Sequence, residues 1–259
     1  MENSLTQDLL VDVRDRVMRI TINREERRNA INPDVVNAIS AALDQAQADR
    51  DVRVIVLTGA GTNAFCSGAD LQSGASFQHD HSEPTAPFAN LARKVRQLNI
   101  PLVARVNGAC MAGGIGLLSM CDMAVASEHA IFGFPEVKVG VFPSQVLSVL
   151  QHLIPRRVLN EMCITGEPIT AVDAKAIGLV NYVSDDLDGK LTWLLDRILD
   201  KSPAAIRRGL YTMKRVDSMS FEEAAAFTES QIALTAMTED AKEGRAAFRE
   251  KRKPVWTGR

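Results

Sequence analysis

The chain has 259 residues and a mass of 28.3 kDa, long enough to bury a substantial hydrophobic core in one domain or in a domain with a helical appendix. Hydrophobic residues make up 46% of it and charged residues 24%, a balance that excludes a largely disordered protein. The net charge of −2 and the pI near 6.1 exclude the broad basic surface of proteins that bind nucleic acids or anionic membranes.

The N-terminus and the cysteines indicate the compartment. Residues 1–17 are acidic and polar, without the basic and apolar regions of a secretory signal. No apolar run approaches the roughly 20 residues that a membrane helix needs. The four cysteines form no CxxC pair and predict no disulfide framework in a chain of this length; they are Cys66, Cys110, Cys121 and Cys163. We therefore expect a cytoplasmic protein with reduced thiols and with neither a nucleic-acid nor a membrane partner.

The first third of the chain alternates between strand and helix patterns. Residues 17–23 are rich in β-branched residues and predict a strand, and a helix is predicted from Pro33, a residue that suits a first helical turn. The continuous apolar run at 53–61 ends in glycines and predicts a strand buried on both faces. Residues 72–87 mix Gly, Ser, His, acids and Pro without periodicity and predict a mobile loop.

The remainder of the chain becomes progressively helical. Its patterns predict a short amphipathic helix, a strand at 101–108, a helix at 112–120, strands at 123–127 and 130–134, and another helix after Pro143. From about residue 155 the pattern is almost wholly helical. We therefore predict an α/β core over residues 1–195 and a helical C-terminal region over residues 196–259.

Two glycine-bounded turns, at residues 65–70 and 112–116, each follow a strand pattern. Such turns leave N–H groups at a helix N-terminus unpaired, pointing to where an anion can sit. Two of them can together form an oxyanion hole. Glycines at these turns also serve tight packing, so the pattern alone leaves both interpretations open.

A third feature is an acid within a largely apolar stretch. Glu136 follows a proline in the segment 132–143, between a strand and the next predicted helix. Burial there would raise the pKa of its carboxyl towards the range useful for general acid–base catalysis. The spacing equally allows a surface glutamate that caps a helix or pairs with Lys138.

Five segments, in order and spread over nearly the whole chain, resemble successive motifs of the enoyl-CoA hydratase/isomerase (crotonase) family. They are NREERRNAINPDVV, VIVLTGAGTNAFCSGADL, PLVARVNGACMAGGIGLLSMCDMAVAS, FGFPEVKVG and AAFREKRKPVW. The resemblance implies a crotonase-type spiral of ββα units with a C-terminal helical part. It also implies a homotrimer or a dimer of trimers, with residues 196–259 as the trimerisation region.

The resemblance also implies a site for an acyl-CoA thioester, with no separate cofactor and no metal. The N–H groups of Ala69 and Gly113 match the positions that hold the thioester oxygen, and Glu136 matches an acid/base. The positions implied to contact CoA or substrate are Arg28, Asn29, Ala30, Ser67, Gly68, Asp70, Leu71, Gly114 and Lys251. Arg24 or Arg27 could assist, and Lys251 in relatives often reaches the CoA phosphates from a neighbouring subunit. His79 and His81, on a loop without further ligands, are too weak a pattern for a metal site.

The sequence departs from the family where hydratases carry the first of two glutamates, because Gly116 stands there. Glu136 alone suffices to move a double bond from the β,γ to the α,β position, whereas hydration needs a water held by another group. Asp70 and Glu222 stay open as replacement acids. Ser144 and Gln145 could donate or accept hydrogen bonds near the acyl group, but a Ser after a Pro at a helix start is more often an N-cap, so Ser144 is expected to cap the helix after Pro143. The alternatives are hydration or cleavage of aryl- or branched acyl-CoAs, and an acyl-CoA-binding scaffold without catalysis.

Overall fold

The computed structural model describes residues 3–71 and 82–259. The strands are β1 (Asn3–Thr6), β2 (Leu9–Arg14), β3 (Val17–Ile22), β4 (Val54–Gly59), β5 (Ala64–Cys66), β6 (Leu102–Val106), β7 (Ala109–Met111), β8 (Met123–Ser127), β9 (Ile131–Gly133), β10 (Ile169–Thr170) and β11 (Tyr182–Ser184). The α-helices are α1 (Pro33–Ala48), α2 (Pro87–Gln97), α3 (Gly113–Ser119), α4 (Leu147–Leu150), α5 (Arg156–Thr165), α6 (Ala171–Ala176), α7 (Leu187–Leu199), α8 (Pro203–Val216), α9 (Phe221–Ala236) and α10 (Glu239–Glu250).

The strands form two sheets between which the chain alternates. A seven-stranded sheet has the order β1-β2-β3-β4-β6-β8-β11, and a four-stranded sheet has the order β10-β9-β7-β5. β1, β2 and β3 are antiparallel, and from β3 onward the large sheet is parallel. Each of β4, β6 and β8 is followed by a short strand of the small sheet and then by a helix. The expected spiral of ββα units with C-terminal helices is therefore confirmed.

Burial explains why the large sheet is the centre of the molecule. Every residue of β4 is buried, as the continuous apolar run predicts for a strand covered on both faces. One face packs into the main core with α1. The leucines of α7 cover the other face against β4, β6 and β8. α1 begins as predicted at Pro33, and the Asn32 side chain accepts a hydrogen bond from the Val35 N–H at 2.8 Å.

Several short strands were not predicted. β1 and β2 lie before the first expected strand, β5 and β7 adjoin the glycine turns, and β10 and β11 interrupt the region expected to be helical. β5, β7, β10 and β11 have only two or three residues, too few to show a periodicity that a sequence pattern can reveal, whereas β1 and β2, of four and six residues, were simply missed. α7 runs without a break through residue 195, the end of the predicted core.

The expected helix after Pro143 is much shorter than predicted, and the capping role of Ser144 is wrong. α4 begins only at Leu147, and Val146 precedes it without a side-chain cap. The backbone N–H of Ser144 donates to the Phe142 carbonyl at 2.7 Å. This tight turn precedes the helix, which therefore begins three residues after Ser144. Within the two described stretches of the chain, no helix is long and apolar enough to cross a membrane.

A buried ion pair joins the turn after β3 to the turn after β5. The Arg24 guanidinium lies 2.7 Å from the Asp70 carboxylate and 3.1 Å from that of Asp8. It also donates to the Ala30 carbonyl at 2.6 Å. Arg24 and Asp70 are both buried. Asp70 is the nearer and more buried of the two carboxylates that neutralise Arg24, and removing one partner of a buried ion pair is strongly destabilising.

Replacing Asp70 with asparagine is expected to destabilise the protein by about 3 kcal/mol, since it leaves the buried guanidinium without its nearest counter-charge. At about 2–4 °C per kcal/mol for chains of this size, thermal unfolding should shift down by roughly 6–12 °C. Asp12→Asn is the matched control, because its partner Arg14 is largely exposed and exposed pairs contribute little. Equal shifts for the two variants would contradict the buried-pair account.

Candidate active site

The two glycine turns identified in the sequence meet in the structure. Gly68 has a φ of +95°, and a Cβ on it would lie 2.6 Å from the Cβ of Ala112 and 3.3 Å from the Gly113 nitrogen. A Cβ on Gly113 would lie 4.0 Å from the Ala69 nitrogen. The backbone N–H groups of Ala69 and Gly113 are therefore neighbours, and glycine at 68 is what permits the approach.

The first turn is held in place by the backbone of residues 28–31. The hydrogen bonds run from Ile31 N–H to the Gly68 carbonyl (2.8 Å), from Ser67 N–H to the Arg28 carbonyl (3.1 Å) and from Asp70 N–H to the Ile31 carbonyl (2.9 Å). These bonds occupy the N–H groups of Ser67 and Asp70, and the Gly68 N–H donates to the Cys66 sulfur at 3.4 Å. The N–H of Ala69 itself has no acceptor among the described residues.

The second turn presents its donor through an unusual backbone conformation. Ala112 has φ +53° and ψ −124°, a region that non-glycine residues adopt only when their surroundings impose it. Its N–H donates to the Gly133 carbonyl at 2.9 Å, which fixes the turn against β9. Gly113 is the first residue of α3, where the N–H has no partner within the helix. Within the described residues this N–H has no acceptor either.

Both turns form part of the wall of a cavity of about 430 Å³. Five predicted site residues line it: Ser67, Ala69, Leu71, Gly113 and Glu136. Most of the remaining wall is apolar and comes from α1, from the start of α2 and from the segment before α4. The structure therefore brings together the two N–H donors and the acid that the sequence singled out.

Glu136 is the only ionisable residue among the described residues of the cavity wall. It lies in a 3₁₀ helix at Pro135–Val139, and its Oε2 is buried without a hydrogen-bond partner in the described part of the chain. Burial raises the pKa of its carboxyl above the usual value, although its own N–H opposes the shift. The suggested pairing with Lys138 is wrong, because Lys138 bonds Glu167 at 2.8 Å.

Gly116 lies one helical turn beyond Gly113, and an aromatic ring occupies the space where its side chain would be. A Cβ on Gly116 would lie 2.6 Å from the Phe88 ring and 3.2 Å from the Val146 side chain. Phe88 and Val146 both line the cavity. A larger side chain at 116, including a carboxylate, would therefore require Phe88 to move.

Other predicted contact residues have structural roles. The Asn29 side chain donates to the carbonyls of Ala60 (3.0 Å) and Ala64 (2.7 Å) and accepts from the Arg24 N–H (3.1 Å). Ala30 is buried beside it, and Asp70 lies in the ion pair with Arg24. These residues support the turns from behind and do not form part of the cavity wall.

The remaining predicted residues lie elsewhere. Gly114 packs against β5, since a Cβ on it would lie 2.3 Å from the Cys66 carbonyl oxygen. Arg28 is exposed at the end of a 3₁₀ turn, and Lys251 is exposed just after α10. Neither lines the cavity of its own chain. Glu222 is exposed in the first turn of α9 and is not part of the wall either.

Histidine and cysteine side chains in the described chain offer no nucleophile at the cavity. His129 contacts the Ser127 hydroxyl at 2.6 Å, but its other nitrogen lies 3.2 Å from two backbone carbonyls, an arrangement that fixes the ring structurally. Burial raises the pKa of Cys66 to about 12, far from thiolate reactivity. His79 and His81 lie outside the described residues.

Sequence reasoning missed most of the apolar wall. Phe88 follows the segment 72–87, where a loop was expected and where residues 72–81 lie outside the described part of the chain. Phe142 lies just before Pro143, and Val146 lies where a regular helix was expected. The aromatic residue directly after Pro87, at a helix start, was the one available signal. Which side chain faces the cavity depends on how α2 packs against α1.

Comparison with known proteins places this geometry in a family. A model of the enoyl-CoA hydratase/isomerase family matches residues 12–259. The chain is 35% identical over 262 residues to an enoyl-CoA hydratase of Mycobacterium tuberculosis, covering 97% of each protein. The enoyl-CoA hydratase structure from Mycobacterium smegmatis matches with a TM-score of 0.88 and 33% identity over 96% of this chain and 98% of that one. The one from Bacillus anthracis matches with a TM-score of 0.90 and 29% identity over 98% and 100%. The chain therefore belongs to the enoyl-CoA hydratase/isomerase (crotonase) family.

Proposed function

We propose that this protein moves the double bond of an enoyl-CoA thioester from the β,γ to the α,β position, with Glu136 as its single acid/base. The observation that carries the proposal is the isolation of Glu136 as the only ionisable residue on the described cavity wall. The Phe88 ring fills the space beside Gly116, so this position of α3 could not hold a second acid unless the ring moved. Isomerisation needs one proton carrier, which makes it the reaction this wall supports best.

The N–H groups of Ala69 and Gly113 form the proposed oxyanion hole. Removing a proton from C2 of the acyl group moves negative charge onto the thioester oxygen. Two fixed donors stabilise that charge more than they stabilise the neutral substrate, and one such donor contributes about 2.7–4 kcal/mol to transition-state stabilisation. Both N–H groups lack acceptors within the described chain, which leaves them available for this oxygen.

The proton transfer proceeds in two steps. Ionised Glu136 takes a proton from C2 and leaves a dienolate whose charge lies on the thioester oxygen and on C4. The protonated carboxyl then returns the proton to C4, and the double bond now joins C2 and C3. A raised pKa of Glu136 suits both steps, because the group must accept a proton and release it again.

Hydration of the α,β double bond is the second candidate. The relatives described above are named as hydratases, and Ser144 and Gln145 line the cavity. Their side chains have no hydrogen-bond acceptor among the described residues and are available to bind water. In a hydratase they would have to hold the attacking water molecule. An acyl-CoA-binding protein without turnover is the remaining alternative, and the first experiment below distinguishes the three.

The main test is Glu136→Gln assayed with 3-enoyl-CoA and 2-enoyl-CoA substrates offered separately. The substitution keeps the size of the side chain and removes proton transfer, so turnover should fall by about 10²–10⁴-fold while CoA binding is retained. Since the wild-type carboxyl must be ionised to act as a base, the isomerisation rate should rise with pH through an apparent pKa above that of a free glutamate.

Glu167→Gln is the matched control, because Glu167 is exposed near the same 3₁₀ helix and pairs with Lys138. It should leave turnover unchanged. Normal turnover in Glu136→Gln would contradict the proposal. Water addition to 2-enoyl-CoA without isomerisation would favour the hydratase. CoA binding without any turnover would favour the binding protein.

The oxyanion hole is tested by Gly68→Ala. The added Cβ would collide with Ala112 and separate the two N–H groups, so turnover should fall about 100-fold or more. Gly178→Ala is the control, because Gly178 also has a positive φ but its Cβ would meet only one carbonyl, at 3.9 Å. Both variants carry a similar backbone strain. Equal activities would show that the approach of the turns is unimportant.

We also propose that the chain assembles as a trimer, or a dimer of trimers, through residues 196–259, and that Lys251 contacts the CoA phosphates bound to a neighbouring subunit. The C-terminal helices expose large apolar side chains, among them Phe248 at 86% and Phe221 at 80%, and exposed apolar surface of this kind is typical of protein interfaces. Lys251 lies off the cavity wall of its own chain, as this arrangement requires.

Sedimentation should therefore give a mass about three or six times 28.3 kDa. Phe248→Asp should lower that mass by placing a charge in the apolar contact. Val172→Asp, on the exposed face of α6, is the control and should leave the mass unchanged. A monomeric wild-type protein would rule out the assembly.

A further inference from the structure

The contact between Phe88 and Gly116 shapes the cavity next to the reacting carbons. Gly116 is completely surrounded in α3, and its missing side chain makes room for the tip of the Phe88 ring. On the other side, Val146 lies 3.2 Å from the same Cβ position. The ring is thus held between α3 and the start of α4, and it faces the cavity.

The position of this ring along the cavity follows from the helix. Gly116 is three residues beyond Gly113, a displacement of about 4.5 Å along α3. If the thioester oxygen is bound at Gly113, the Phe88 ring stands beside the first few carbons of the acyl group. A bulky apolar side chain at that point limits the width available at these carbons, whereas the length of a distal chain is unaffected.

We propose that Phe88, seated on Gly116, is a specificity-determining residue that restricts the protein to acyl groups unbranched at C2 to C4. This inference rests on the proposed thioester site but not on the isomerase chemistry. A methyl branch beside the ring would overlap it, because the ring cannot retreat into the well-packed space between α3 and Val146.

Gly116 and Phe88 must therefore act as a pair. A methyl group at 116 would lie 2.6 Å from the ring and would push it towards the substrate. Without the ring the 2.6 Å clash disappears, and the Val146 side chain at 3.2 Å, a tight contact that a small shift can relieve, is the nearest remaining neighbour of the methyl group. The effect of Gly116→Ala on ligand binding should consequently depend on whether Phe88 is present, which a double-mutant cycle measures.

The experiment measures binding of saturated acyl-CoA thioesters by calorimetry, comparing butyryl-CoA with 3-methylbutyryl-CoA. Saturated thioesters cannot isomerise, so binding reports on the wall independently of turnover. The wild-type protein should bind butyryl-CoA at least tenfold more tightly, and Phe88→Ala should reduce this ratio about tenfold. Gly116→Ala should weaken both ligands in the wild-type background and have little effect in the Phe88→Ala background.

Phe142→Ala is the matched control, because Phe142 is an aromatic residue of the same cavity wall but is about half exposed and is not among the three nearest neighbours of the Gly116 Cβ position. It should weaken both ligands equally and leave their ratio unchanged. A ratio unaffected by Phe88→Ala in a protein with a normal melting temperature, or additive effects at 116 and 88, would overturn the inference. If Phe88→Ala lowers the affinity ratio but the wild-type protein never isomerises 3-enoyl-CoA, the specificity role of Phe88 is supported and the proposed isomerase reaction is rejected.

Discussion

The close approach of two backbone turns is the constraint on which the rest of this site depends. Gly68 must lack a side chain for Ala112 and Gly113 to come within reach of Ala69. The approach is maintained from behind by the hydrogen bonds of residues 28–31 and by the buried ion pair of Arg24. These supports belong to the first ββα unit, so the N-terminal third of the chain aligns a site whose second half lies some 45 residues further on.

The proposed chemistry depends both on the one ionisable residue of the described cavity wall and on the lack of a second acid there. Glu136 lies opposite no positive charge in the described wall, and burial alone raises its pKa. Gly116 leaves the wall without a second acid and admits Phe88 instead. One ionisable group in an apolar surrounding can carry one proton back and forth, which restricts the reactions that this wall supports.

Much of the fold could be predicted from the sequence, because its elements have local signals, and the apolar run at 53–61 and the helix from Pro33 are examples. The residue types of the glycine turns and of Glu136 left more than one interpretation open, and the resemblance to the family was needed to expect a site there. Asn29 and Asp70 are buried behind the turns and hold them in place, a role that the sequence did not predict because burial is set by packing between distant segments. The Phe88 contact with Gly116 joins residues 28 positions apart, so no local pattern predicts it.

The central claim is that a single carboxylate carries the proton, and isotope transfer tests it most directly. 3-Hexenoyl-CoA dideuterated at C2 is incubated with the protein in ordinary water, and the deuterium at C4 of the product is measured by NMR and mass spectrometry. Since the Glu136 Oε2 is buried, a deuteron taken from C2 should reach C4 before it exchanges completely with water. Measurable deuterium at C4, lost together with turnover in Glu136→Gln, is the predicted result. Turnover and deuterium transfer to C4 that both persist at the wild-type level in Glu136→Gln would contradict the claim that this carboxylate carries the proton.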